Sequence, residues 1–150
     1  MNITSFLAGV GFKPYSSVVN SWDSFDKSGS VLMQLWVDPG QRVRDHPNPY
    51  AYLRVRCWNA ASHARKGHTQ VVGYNGRAKA IAAIENGAKG YAALSDAPEE
   101  KRGAGVWAKN ADLSKVYPVL GIEREETTSD IFAILGKPVS TQSIGSGGES

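Results

Sequence analysis

Residues 73–97 read GYNGRAKAIAAIENGAKGYAALSDA, and this stretch decides the fold. Asn75 suits a helix N-cap, and residues 77–86 follow without a breaker. Ala78, Ile81, Ala82 and Glu85 recur at helical spacing, with Ile84 widening the stripe beside Ile81. Gly87 stands where a helix needs a left-handed stop. Residues 91–94 then form a short apolar run closed by Ser95, Asp96 and Pro98, the pattern of a buried strand. The spacing predicts a helix packed on a sheet.

Two longer strands precede this unit. Residues 31–37 alternate, with Val31, Met33, Leu35 and Val37 on one side and Leu32, Gln34 and Trp36 on the other. Asp38-Pro39-Gly40 is a turn signal, and residues 42–49 are a polar connection. Residues 50–58 alternate again. Leu53, Val55 and Cys57 form the apolar face, while Tyr52, Arg54, Arg56 and Trp58 line the opposite one. Residues 3–10 fit a short amphipathic helix bearing Ile3, Phe6, Leu7 and Val10. Residues 16–30 read as a loop that packs down through Val18, Val19, Trp22 and Phe25.

Further along, residues 59–68 are a basic loop, and residues 69–72 and 106–109 read as brief strands. Residues 116–123 are a strand that Pro118 marks as an edge or a bulge. Residues 129–135 suggest a helical turn. From Gly136 onward the Gly/Ser-rich sequence reads as a flexible tail. The expected fold is α+β: a curved, mostly antiparallel sheet or partial β-barrel of five or six strands with one main helix. One domain spans residues 1–135, followed by a tail over 136–150.

The 150 residues are enough for a single core, and 41% hydrophobic with 21% charged residues is ordinary for a globular protein. Net charge is only +3, but it is unevenly spread. Nine Lys or Arg lie between Gly40 and Gly90, opposed there by Asp45 and Glu85 alone. The acids collect later, around Glu99–Glu100 and residues 123–126. Such a split points to a basic face for a polyanion, or to a solvated surface that happens to be basic. Cys57 has no disulfide partner, and neither a secretory leader nor a run of ~20 apolar residues is visible. A cytoplasmic protein is expected.

No motif names a reaction. His46, His63 and His68 with Cys57 or Asp45 fit no zinc spacing, so no metal and no cofactor is expected. A nucleophile elbow is absent, and the Gly103-Ala104-Gly105 loop opens no phosphate-binding helix. Carboxylates Glu123, Glu125 and Glu126 look like a solvated strand exit.

The face of Tyr52, Arg54, Arg56 and Trp58 is the strongest candidate site, because rings stack on bases and guanidinium groups hold phosphates. Trp36 joins it if the two long strands pair. Arg42, Arg44, His63, Arg65, Lys66 and His68 extend the positive field from adjoining loops. The competing reading is structural, with Tyr52 and Trp58 covering the opening helix and the arginines reaching to water.

A Trp-bearing loop (Ser21-Trp22-Asp23), a strand over residues 31–36, a Gly73-Tyr74 helix start with Arg77 and Ile81, and a glycine-stopped helix feeding a strand over residues 84–94 occur in that order. In this the chain resembles a family of small, largely uncharacterised bacterial proteins. The resemblance spans residues 22–94, departs from the family pattern in having less acid near Asn75-Gly76, and implies one compact domain without a catalytic set. The leading expectation is a noncatalytic DNA- or RNA-binding module of a bacterial defence or mobile-element system. The alternatives are a small enzyme acting on a phosphorylated or nucleic-acid substrate, with His63 or His68 as acid/base, and a protein-interaction or inhibitor domain anchored by its Trp and Tyr residues.

Overall fold

The computed structural model describes residues 3–14, 22–37, 46–66, 71–96, 107 and 109–145. In chain order the elements are α1 (Ile3–Val10), β1 (Lys13–Pro14), β2 (Asp23–Phe25), β3 (Val31–Trp36), β4 (Leu53–Trp58), α2 (Ala60–Ala64), α3 (Val71–Glu85), β5 (Gly90–Ser95), β6 (Lys115–Arg124), β7 (Ile131–Leu135), β8 (Val139–Ser140) and α4 (Gln142–Gly145). The strands form one curled sheet in the order β1-β2-β3-β5-β6-β7-β4, with β8 on the side of β6. Every pairing is antiparallel except β3 with β5. The result is an α+β half-barrel with α3 as its main helix.

Ten-residue β6 makes the curl. Its first half pairs with β5 through Tyr117 and Pro118, and its second half pairs with β7 from Val119 to Arg124. Pro118 and a register shift between Val119 and Gly121 mark the change of partner, where a missing N–H does least harm. Strand β4 therefore lies beyond β7 and is not hydrogen-bonded to β3, so the two long strands read from the sequence do not pair.

Inside the curl, Val31, Met33 and Leu35 meet Val55, Cys57, Ile81, Leu94, Ala133 and Leu135. On the other face of β3 and β5, Leu32 and Ala93 pack with Phe6, Leu7 and Val10 of α1, Phe12, Val116 and Trp107. The alternation of β3 is real, but both of its faces are buried, as suits a strand with a parallel neighbour. Burying each such Leu, Ile or Val contributes about 1.5–3 kcal/mol. Trp107 ties the two layers by donating from Nε1 to the carbonyl of Leu35 at 2.9 Å.

Helix α3 begins at Val71, so Asn75 is not its cap and residues 71–72 are helical rather than strand. Its stop is as read: Gly87 has φ of 102°, with Ala88 N bonded to the Ala83 carbonyl and Gly87 N to that of Ile84. Residues 131–135 form a strand, not a helical turn, and the supposed loop after residue 16 contains β2. Trp107 is helical where a strand was expected, and the basic loop contains α2. The chain beyond Gly136 is docked as far as the short α4. Strand β8 pairs with β6, and Thr141 Oγ1 donates to the Leu113 carbonyl at 2.6 Å. Val18, Val19, the turn over residues 38–40 and the loop over residues 98–105 lie outside the described residues. No helix among the described residues is long and apolar enough to cross a membrane.

Candidate nucleic-acid interface

Strand β4 ends at Trp58, and Asn59 immediately caps α2 by accepting a hydrogen bond from Ser62 N at 3.1 Å. This single turn folds His63 back over Trp58, with ring centroids 4.6 Å apart. Tyr74, in the opening turn of α3, completes the cluster. Its ring stands edge-on to Trp58 at 5.3 Å, to His63 at 5.1 Å and to Trp22 at 4.7 Å. These separations are typical of favourable aromatic pairs, worth about 0.5–1.5 kcal/mol each beyond burial. Trp22 reaches the helix because Gly73 has no side chain: a Cβ there would sit 2.5 Å from Trp22 Cε2.

Under the rings runs a buried ion pair. Arg77, 6% exposed, binds Asp23, 1% exposed, and donates from Nη1 to the Cys57 carbonyl at 2.6 Å and from Nη2 to the Gln34 carbonyl at 2.9 Å. One guanidinium thus joins β4 to the β2–β3 pair, to which no ladder connects it. Burial pushes the Asp23 carboxyl up, and Arg77 opposes it by charge and hydrogen bond. Tyr74 is shifted up by burial too, against a hydrogen bond with Ser62 and the charges of Arg77 and Arg65. Trp22, Trp58 and His63 remain half-buried, and Arg65 is exposed. No His63 ring nitrogen has a hydrogen bond among the described residues, and Arg65 has no ion pair there. Lys66 Nζ lies 3.4 Å from the His63 carbonyl.

The arginines of β4 are differently placed. Arg54 donates to Glu123 at 3.0 Å, lies 3.6 Å from Glu125 and stacks its guanidinium 3.7 Å above the Phe132 ring. Arg56 lies 3.5 Å from Asp130. Arg124 forms a two-pronged pair with Glu85. Among the described residues the later acids Glu123, Glu125 and Asp130 have come back to two of the earlier bases, Arg54 and Arg56. Tyr52 lies against Tyr117 at the edge of the inner core, and Trp36 packs with the α1 layer on the other face of the sheet. Arg42, Arg44 and His68 lie outside the described residues.

Of the residues singled out in the sequence, Trp58, His63, Arg65 and Lys66 come together, while Tyr52, Trp36, Arg54 and Arg56 are engaged elsewhere. Trp22, Ser62 and Tyr74 complete the cluster, and the strand and loop patterns did not point to them.

His46 is half-buried with both ring nitrogens occupied. Nδ1 accepts from Asn48 N at 3.0 Å, which leaves Nε2 to donate to Glu123 at 2.5 Å. Burial pushes the Cys57 thiol up to about 12. No group of three or more His, Cys, Asp or Glu among the described residues is placed to hold a metal ion. Compared with protein-family models, curated proteins and solved structures, the chain matches none.

Proposed function

We propose that the chain is a noncatalytic module that binds nucleic acid through Trp22, Trp58 and His63, which rest on the buried Tyr74, with Arg65 and Lys66 holding phosphates. The observation that carries this reading is the half-buried, tilted pair of Trp58 and His63 rings, 4.6 Å apart, with exposed Arg65 two positions after His63 at the end of α2. Half-buried rings next to a cation with no ion pair among the described residues match the two chemistries of a nucleotide, a flat base and a charged linker. Two of the described reactive groups are closed to acid–base or nucleophilic work, while His63 is the one on which an enzymatic alternative would rest. His46 has no free ring nitrogen, and Cys57 is buried as a neutral thiol.

The test is an electrophoretic shift with single- and double-stranded DNA and RNA at two salt concentrations, using wild type, Arg65→Ala and Lys66→Ala. Weaker binding by both variants, with a shallower salt dependence, supports the reading. A protein that retards none of the four probes at low salt has some other role.

A further inference from the structure

We infer, resting on the reading above, that the ligand is a single strand held mainly through its bases rather than a duplex held through its phosphates. Three observations lead there. First, the surface offers three half-buried rings, Trp22, Trp58 and His63, around the buried Tyr74, and a ring can stack only on a base that is not already stacked within a duplex. Second, the described arginines that would suit a duplex backbone are spent. Arg54, Arg56, Arg77 and Arg124 are each held by a carboxylate of the same chain. Beside the rings that leaves Arg65 and Lys66, two cations on consecutive positions at the end of α2. Third, the nitrogens of His63 have no hydrogen bond among the described residues, although the ring is held at 4.6 Å from Trp58 and 5.1 Å from Tyr74. A ring fixed by its neighbours, with no hydrogen bond on its polar edge among the described residues, is fitted to stack on a base and to bond to its edge.

Charge counting turns this into a number. Two phosphate contacts on a single strand give a slope of log affinity against log salt of about −1.4, whereas a duplex held by 6–10 phosphates gives roughly −5 to −9. The cluster therefore retains its ligand at physiological salt mainly through stacking.

The test is fluorescence anisotropy with a labelled twelve-residue oligothymidine, the matching oligouridine and a twelve-base-pair duplex, at 50 and 200 mM salt. Both single strands are expected to bind at least about tenfold tighter than the duplex, with slopes between roughly −1 and −2. His63→Ala should weaken single-strand binding roughly 5- to 150-fold with the slope unchanged. His63→Leu keeps apolar contact with Trp58 and Tyr74 but offers no ring, and it should lose the same. Arg65→Ala should make the slope shallower by about 0.7. Circular dichroism confirms that each variant is folded. A duplex bound as tightly as the single strands, or a folded His63→Leu that binds like wild type, overturns the inference while leaving nucleic-acid binding in place. Failure of all three probes to bind at 50 mM salt removes the reading on which it rests.

Discussion

Arg77 donates from Nε to both carboxylate oxygens of Asp23, at 2.9 and 2.8 Å, across 54 positions of sequence. The same guanidinium takes the carbonyls of Cys57 and Gln34. Strand β4 at the end of the sheet approaches β3 without a ladder, and the backbone groups facing that seam need partners. Arg77 supplies donors to β3 and β4 at once, and Asp23 balances its charge inside a low-dielectric interior. Desolvating two charges is costly, and only this degree of hydrogen bonding offsets it.

Removing either partner should therefore be severe. Arg77→Met is expected to lose about 3–5 kcal/mol, since it leaves a buried carboxylate and two orphaned carbonyls. The sign with pH follows from Asp23. Without the guanidinium, burial alone acts on its carboxyl and the folded-state value rises further. A carboxyl raised above its unfolded value binds its proton in the folded state first, so stability falls as pH rises between the two values. The deficit of Arg77→Met should shrink when urea unfolding is repeated at pH 5 instead of pH 7. A deficit that grows on acidification would show that Asp23 is not the group left unpaired.

The local parts of this fold were legible because they rest on local chemistry. Gly87 ends α3 by a backbone conformation that a side chain disfavours, and β3 alternates because a strand must. The start of α3 was not legible. Val71, Val72, Gly73 and Gly76 are poor helix formers, and they are helical because Trp22 packs on Gly73 and Arg77 anchors the turn below. Strand β7 was misread for a similar reason: buried on a curled sheet, Ile131–Leu135 shows little polar alternation to tell strand from helix. The candidate site suffered most from charge. Arg54 and Glu123 are 69 positions apart, and a ladder joins β7 to the strand of each, β4 on one side and β6 on the other. Nothing local to β4 announces that its arginines are neutralised.

Glu123 gives the molecule an acid-sensitive edge. Its carboxyl is held below its ordinary value, first by the hydrogen bond from His46 and then by the bond and charge of Arg54, against desolvation. A depressed carboxylate contributes stability that is present above its unfolded value and lost as pH falls through its folded value. Wild type should lose melting temperature as pH drops below about 4.3, the ordinary glutamate value. Glu123→Gln should be less stable at pH 7 and show a flatter loss over pH 3–5 in a series of thermal melts. Parallel curves for the two proteins would mean that other carboxylates govern the acid limb.

Cys57 offers a check on the inner core. It is 5% exposed beside Val55 and Leu53, and burial holds its thiol up at about 12, so little thiolate is present at neutral pH. A thiol reagent should label the native protein only as fast as it opens, and at once in denaturant. Stoichiometric labelling within seconds under native conditions would place β4 elsewhere.

The sharpest test of the ring cluster is a pair of glycines. In a helix interior, Gly→Ala ordinarily gains roughly 0.5–1 kcal/mol by limiting the unfolded chain. Gly73 should reverse that sign. A Cβ placed there meets three Trp22 ring atoms at 2.5, 2.7 and 2.8 Å, inside any real contact, so the indole must move. Overpacking of this kind costs about 1–3 kcal/mol, more than the entropy gained. Gly73→Ala should therefore be destabilised and should show altered tryptophan fluorescence as Trp22 leaves Tyr74. Gly87→Ala is the control: nothing lies within 4 Å of its added Cβ, and its φ of 102° alone imposes a cost of about 1 kcal/mol with no spectral change. Urea titrations followed by intrinsic fluorescence read both quantities together. A stabilised Gly73→Ala with wild-type fluorescence would mean that Trp22 does not rest on α3, and the four-ring cluster would lose its floor.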